Sequence, residues 1–191
     1  MRLGDGSVTK SLGDIERRRE MWHAICDWLL NVPDEERQAF LSDLSGQLGV
    51  ALPAQAPAGF RAMNWQQLAE AVAAGISVGS HSCSHIPLAR ESLERQVAEA
   101  SASRRRLEQE LGIQVRHFSY PHGRREDVSA DTIEAVRRAG YSSAVLGYAD
   151  LHPMESIWTL RRSSPPESLI ELQNLLSGLP LVGANRNYGG A

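Results

Sequence analysis

With 191 residues, of which 42% are hydrophobic and 23% charged, the chain has the size and balance of one ordinary globular domain with a real core. A formal net charge of -3 excludes a broad basic field for nucleic acid or anionic lipid. No run approaches the ~18 apolar residues of a membrane-spanning helix, and the opening MRLGDGSVTK lacks the apolar stretch of a signal peptide. As written, the chain is expected in the cytoplasm; a segment preceding residue 1 would shift that expectation to the periplasm or the exterior.

Residues 1–13 are Gly-rich and poorly patterned, and a flexible terminus is expected there. Asp14 is placed to cap a helix reaching about Leu30, with Trp22, Ile25, Cys26 and Leu29 on one face. Pro33 ends it. A second helix is expected from about Asp34 to Leu48, striped with Phe40, Leu41, Leu44 and Leu48. Leu52–Gly59 is rich in Pro and Ala and reads as a linker loop.

From Asn64 the pattern alternates between helix and strand. Asn64 caps a helix from Trp65 that Gly75 ends, and a strand at Ile76–Ser80 follows. A long helix is predicted over about 91–111, with Leu93, Val97, Ala100, Leu107 and Leu111 on one side and Gly112 as its stop. A strand at Gln114–Tyr120, a loop over 121–128, a helix from Ser129 to Ala139 and a strand at Tyr141–Leu146 come next. A short strand lies around Ile157–Arg161. Ser164-Pro165-Pro166-Glu167 reads as the capping box of a last helix, reaching about Leu176. Such alternation implies right-handed βαβ units and a parallel sheet, either open or closed into a (β/α) barrel. Both put functional loops at the C-terminal ends of strands.

Two segments carry chemistry. In Gly79-Ser80-His81-Ser82-Cys83-Ser84-His85, two histidines four apart follow a strand. If the loop turns helically they share a face and converge on one metal ion, though a catalytic zinc usually takes three protein ligands. The alternative is a pair of polar loop histidines. Cys83 reads as a small buried hydrophobe rather than a ligand, and both cysteines, Cys26 and Cys83, are expected as free thiols. In His117-Phe118-Ser119-Tyr120-Pro121-His122-Gly123 a strand runs into an aromatic-Pro-x-Gly turn. Such a turn can aim backbone N–H groups at a developing oxyanion; the alternative is an ordinary strand-to-loop turn. His117 is expected on the opposite strand face, and His23 on a structural helix. The clusters Arg17-Arg18-Arg19 and Arg104-Arg105-Arg106 lie beside glutamates and read as solvated helix faces.

In order and spacing, GSHSCSH and HFSYPHG resemble the second and third motifs of the polysaccharide deacetylase family, the NodB homology domain. Met63-Asn64-Trp65, Ala139-Gly140-Tyr141, Leu160-Arg161-Arg162 and the segment closing at Leu179 add to the resemblance, which covers residues 60–179. It implies a distorted (β/α) barrel that removes N- or O-acetyl groups from a bacterial glycan such as an exopolysaccharide, using a divalent metal of the zinc type. His81 and His85 would be the histidine ligands. His122 would offer its backbone N–H to the oxyanion, and Tyr120 and Pro121 would wall the pocket. Residues 14–50 would be a helical insertion, and 180–191 a flexible tail.

The family's T-F-D-D-G motif, which supplies the general base and the third ligand, has no counterpart here, because the sequence contains no Asp-Asp pair. Asp5 stands in the wrong place for it, and His152 matches only the letters of the late L-x-H motif. The expectation is an N-terminally truncated domain with weakened metal binding and turnover reduced by roughly 10² to 10⁴. Its partner is expected to be a glycan and not nucleic acid.

Overall fold

A computed structural model describes residues 2–3, 6–7, 13–51, 53–147, 156–162 and 166–177. Asp5, His152, Ser164, Pro165 and the tail from 178 lie outside the described residues. In the first thirteen, where no pattern was expected, β1 (Arg2–Leu3) pairs antiparallel with β2 (Gly6–Ser7).

The helices begin where the sequence offers a cap. Helix α1 (Ile15–Leu29) is opened by Asp14, whose carboxylate accepts from the Arg17 amide. Pro33 precedes α2 (Asp34–Leu48), which stops at Gly49 in the left-handed conformation. Asn64 and Gln67 close a reciprocal box at the start of α3 (Trp65–Ala73). Ser92 caps α4 (Leu93–Leu111), and Gly112 ends it at φ 64°. Ser129 caps α5 (Ala130–Arg138). The last helix, α6 (Leu169–Leu176), starts later than the Ser-Pro-Pro-Glu pattern suggested. Its cap is Ser168, which accepts from the Glu171 amide, because that hydroxyl lies at the correct spacing from a free first-turn N–H.

The strands are shorter than the periodicity implied. Strand β3 (His117–Ser119) pairs parallel with β4 (Ser143–Val145), in register Phe118 to Ala144. The segments ending at Ser80 and Leu160 join as single parallel bridges, to Phe118 and Val145. The spatial order is therefore the Ser80 segment, β3, β4 and the Leu160 segment. This is an α/β arrangement, and among the described residues no pairing closes the array into a ring.

Alternation along the strands divides the two faces of this array. Phe118 and Ala144, followed by Tyr120 and Leu146, point into a core formed with Ala100 of α4 and Val136 of α5. Ile86 and Leu88 seal its edge. His117 and Ser119 point the other way.

The N-terminal helices pack less than their sequence suggested. Trp22 is 62% exposed and Leu41 and Leu48 are also exposed, while Met21 and Phe40 are the buried residues. Trp28 packs against Phe40 between α1 and α2, with ring centroids 5.0 Å apart. The arginine clusters behave as solvated faces, Arg17 pairing with Asp14, Arg19 with Glu16 and Arg106 with Glu110. Arg104 is the exception. It donates to the carbonyls of Ala139 and Gly140 and so ties α4 to the end of α5. No described helix is long and apolar enough to cross a membrane.

Candidate functional site

The two histidine-bearing segments meet at the C-terminal ends of the central strands. A buried hydroxyl cluster anchors the first of them. Ser80 Oγ lies 2.6 Å from Ser103 Oγ of α4, and Tyr141 Oη donates to the Ala100 carbonyl at 2.9 Å. Ser80 also exchanges backbone hydrogen bonds with β3, its N–H to His117 and its carbonyl from Ser119. His81 is thus launched from a fixed point.

Three residues other than glycine have positive φ among the described residues: Ser82 at 65°, His85 at 51° and His122 at 59°. All belong to the two motif loops. Such conformations cost free energy and persist where the surroundings impose them, commonly at functional sites. They turn three imidazoles toward one another. The His81 and His85 rings are 4.8 Å apart and those of His85 and His122 are 4.6 Å apart, both edge to face.

The protonation of the pair follows from its partners. His81 Nδ1 lies 2.8 Å from the Ser119 carbonyl, which can only accept, so Nδ1 donates to it and Nε2 is the ring nitrogen left facing away from β3. Burial, reinforced by the neighbouring His81, lowers the pKa of His85 although the residue keeps an exposed rim. Burial also lowers the pKa of half-buried His122, with His85 acting in the same direction. Both changes favour neutral imidazole, the form that coordinates a cation. The His122 Nε2 atom is buried without a hydrogen-bond partner among the described residues.

The turn after β3 is shaped by close backbone approach. Gly123 has φ 67°, and a Cβ there would overlap the backbone nitrogen of Gly147 and come within 3.1 Å of the Tyr120 carbonyl. Asp127, almost fully buried, accepts a two-pronged ion pair from Arg124 at 2.9 and 3.0 Å and also accepts from the Arg124 amide. Tyr120 and Pro121 lie in the core rather than on an open wall. The Tyr120 hydroxyl donates to the Trp158 carbonyl, and burial raises its pKa.

The structure places two other residues differently from the sequence reading. His117, expected on the face away from the functional residues, lines with His81, Ser119 and Arg162 a cleft of about 290 Å³. Odd positions of β3 face that cleft, as strand alternation requires of residues two apart. Cys83 is exposed rather than a buried hydrophobe, because its loop is held by backbone groups; both cysteines are free.

Sequence reasoning missed Glu99. It is 4% exposed and accepts from the amides of Cys83 and Ser84, both at 3.0 Å, and from the Ser84 hydroxyl at 3.1 Å. The available signal was its spacing. Gln96, Glu99 and Ser103 fall on the inward side of α4 beside Ala100, so a buried polar row was readable there.

The paired imidazoles could serve a divalent ion as two donors, His81 through Nε2, since Nδ1 is engaged by the Ser119 carbonyl. They fall short of a closed set, since among the described residues no three His, Cys, Asp or Glu side chains are grouped to hold a metal ion.

Residues 54–144, which span both motifs, match the family model of the polysaccharide deacetylases. Over that stretch the chain is similar to the polysaccharide deacetylase family. Among solved structures it is similar to the Streptococcus pyogenes deacetylase PplD in complex with acetate, with 22% identity and a TM-score of 0.49 over 55% of this chain and 46% of that one. It is similar to the deacetylase domain of BpsB from Bordetella bronchiseptica, with 19% identity and a TM-score of 0.47 over 56% of each chain. IcaB from Ammonifex degensii shares 21% identity with a TM-score of 0.47, over 71% of this chain and 65% of that one. The chain thus spans about half the length of the first two. No curated protein matches it.

Proposed function

We propose that this chain is the histidine-bearing part of a metal-dependent deacetylase that hydrolyses N- or O-acetyl groups on a glycan. The supporting observation is the family match over 54–144 together with the HSCSH loop, which sets two imidazoles 4.8 Å apart at a strand end. In this reading the parallel array belongs to a distorted (β/α) barrel built from residues 60–179, with 14–50 inserted and 180–191 a tail. The glycan would be a bacterial exopolysaccharide, met in the periplasm or outside the cell.

His81 and His85 would hold the ion, which supplies Lewis acidity and an activated water when bound. Zinc is the ion the family resemblance favours, though histidine and carboxylate donors suit cobalt, nickel or manganese as well. His122 presents its backbone N–H at the tight turn made possible by Gly123, where an acetyl oxygen gains negative charge as water adds to its carbonyl carbon. Tyr120 and Pro121 hold that turn from below. Collapse of the adduct breaks the bond to the sugar nitrogen or oxygen and leaves acetate. The 191 residues contain no Asp-Asp pair to act as base and third ligand, so alone they turn over slowly or not at all. A second reading, a deacetylase-like domain that binds metal or glycan weakly without turnover, rests on the same missing pair.

Zinc titration of the purified chain tests the proposal, with acetate release from an acetylated glucosamine oligomer as the activity readout. Binding that weakens in both His81→Ala and His85→Ala is expected. Binding indifferent to both substitutions removes the metal reading. Acetate release above background overturns the expected lack of turnover.

A further inference from the structure

The loop between the two histidines has no apolar side chain to anchor it, yet it holds two left-handed residues. Its backbone is gripped from both sides by charge. Glu99 of α4 takes the amides of Cys83 and Ser84. On the opposite side Arg37 of α2 donates Nη1 to the carbonyl of His85 and Nη2 to the carbonyl of Ser84, both at 3.1 Å. One guanidinium thus takes two successive carbonyls, a fork that a lysine ammonium cannot reproduce.

These two grips are joined into a ring. Asp34, one turn before Arg37, accepts from it at 3.0 Å. The other Asp34 oxygen lies 3.6 Å from Arg95, and Arg95 pairs with Glu99 at 3.2 Å. Asp34 and Arg37 are only 15% and 14% exposed, so the pair is far less screened than one on an open surface. The same corner has two more ties to the segment after the loop. The Asp34 amide donates to Glu91 at 2.6 Å, and Arg90 donates to Asn31 at 2.8 Å.

We infer that the α1–α2 corner is a positioning clamp for the histidine loop, with Asp34 and Arg37 fixing the backbone that aims His85. The helix pair therefore has a role beyond packing. It completes, from about fifty residues away in sequence, a cradle of which α4 supplies the other half. The inference that the aimed group is a metal ligand rests on the deacetylase reading; the clamp itself does not.

The test uses the full chain without metal and then with zinc alone. Amide hydrogen exchange is measured at Cys83 and Ser84, with Ala144 in the core as the control for global stability. Arg37→Ala is expected to speed exchange at both loop amides about tenfold, the size of one lost charge-assisted hydrogen bond, while Ala144 keeps its protection. Arg37→Lys should restore part of it, and Asp34→Asn should act in the same direction as Arg37→Ala. Zinc affinity in Arg37→Ala should fall by about tenfold, as for partners that orient ligands. Loop exchange unchanged in Arg37→Ala overturns the clamp. Faster exchange with undiminished zinc binding overturns the positioning role. If the unsubstituted chain binds no zinc, the metal reading fails and loop exchange still decides the clamp.

Discussion

Gly123 and Gly112 have nearly the same backbone conformation, φ 67° and 64°, but opposite surroundings. A Cβ at Gly112 meets nothing within 4 Å. One at Gly123 would overlap the Gly147 nitrogen and lie 2.9 Å from the Gly147 Cα, both backbone atoms that cannot swing aside. Alanine at either site incurs the left-handed penalty of about 1–2 kcal/mol, less about 0.4–1 kcal/mol for reduced freedom in the unfolded chain. Only Gly123→Ala adds the cost of pushing two backbone segments apart, about 1–3 kcal/mol for such overpacking. Gly112→Ala should therefore lose about 0–1.6 kcal/mol, and Gly123→Ala about 1–3 kcal/mol more. Urea denaturation followed by circular dichroism measures both, provided the denaturant slope is unchanged. Gly123→Asn sharpens the comparison, since asparagine tolerates the left-handed region yet keeps the Cβ. It should remain close to alanine. Equal losses at Gly112 and Gly123, within about 0.5 kcal/mol, would refute the claim that close approach to Gly147 dictates the turn carrying His122.

Two further outcomes follow from the site's burial. Burial holds the imidazoles of His85 and His122 below the ordinary histidine pKa of about 6.5, so as pH falls the unfolded chain takes up protons before the folded one. Stability of the metal-free chain is thus full above about pH 6.5 and is lost as pH drops through the folded pKa values; the urea midpoint between pH 7.5 and 5 should show this, and should flatten in a His85→Gln/His122→Gln double variant. Tyr141→Phe removes the hydroxyl that donates to the Ala100 carbonyl inside the Ser80–Ser103 cluster, and thermal denaturation should register a loss of about 1–2 kcal/mol.

The helices were legible because their signals are local. Asp14, Asn64 and Ser129 each cap the helix that follows them, and a cap depends on atoms three residues away. Strand lengths were not legible, since a residue counts as paired only if a neighbour lies beside it. Ile76–Val78 carry an extended pattern, but only Ser80 meets β3. The closeness of His81 and His85 was expected only for a helical loop; the loop is not helical, and left-handed Ser82 and His85 bring the rings together instead. The grip of Glu99 and Arg37 on that loop was not legible, because it joins positions 15 to 48 residues apart through backbone atoms that every sequence possesses. Trp22 was misplaced for a related reason. The α1–α2 unit buries a narrow seam around Phe40, and a periodic pattern says which residues share a face but not how much of that face is covered.

Helix α4 illustrates how a polar row can do what shape alone cannot. Going along it, Gln96 donates to the Glu91 carbonyl, Glu99 holds the histidine loop, Ser103 meets Ser80, Arg104 reaches the end of α5 and Glu108 accepts from the Val115 amide. Each side chain has a different mate, and the mates are spread over four segments of the chain. Grease tolerates sliding, since one leucine contact resembles the next. A row of dissimilar keys does not. Moving α4 by one turn would forfeit all five at once and strand buried polar groups. The helix is therefore indexed like a key in its lock. Because the mates are backbone groups apart from the Ser80 and Ser84 hydroxyls, a change at one of these positions in α4 has no compensating substitution elsewhere except at those serines.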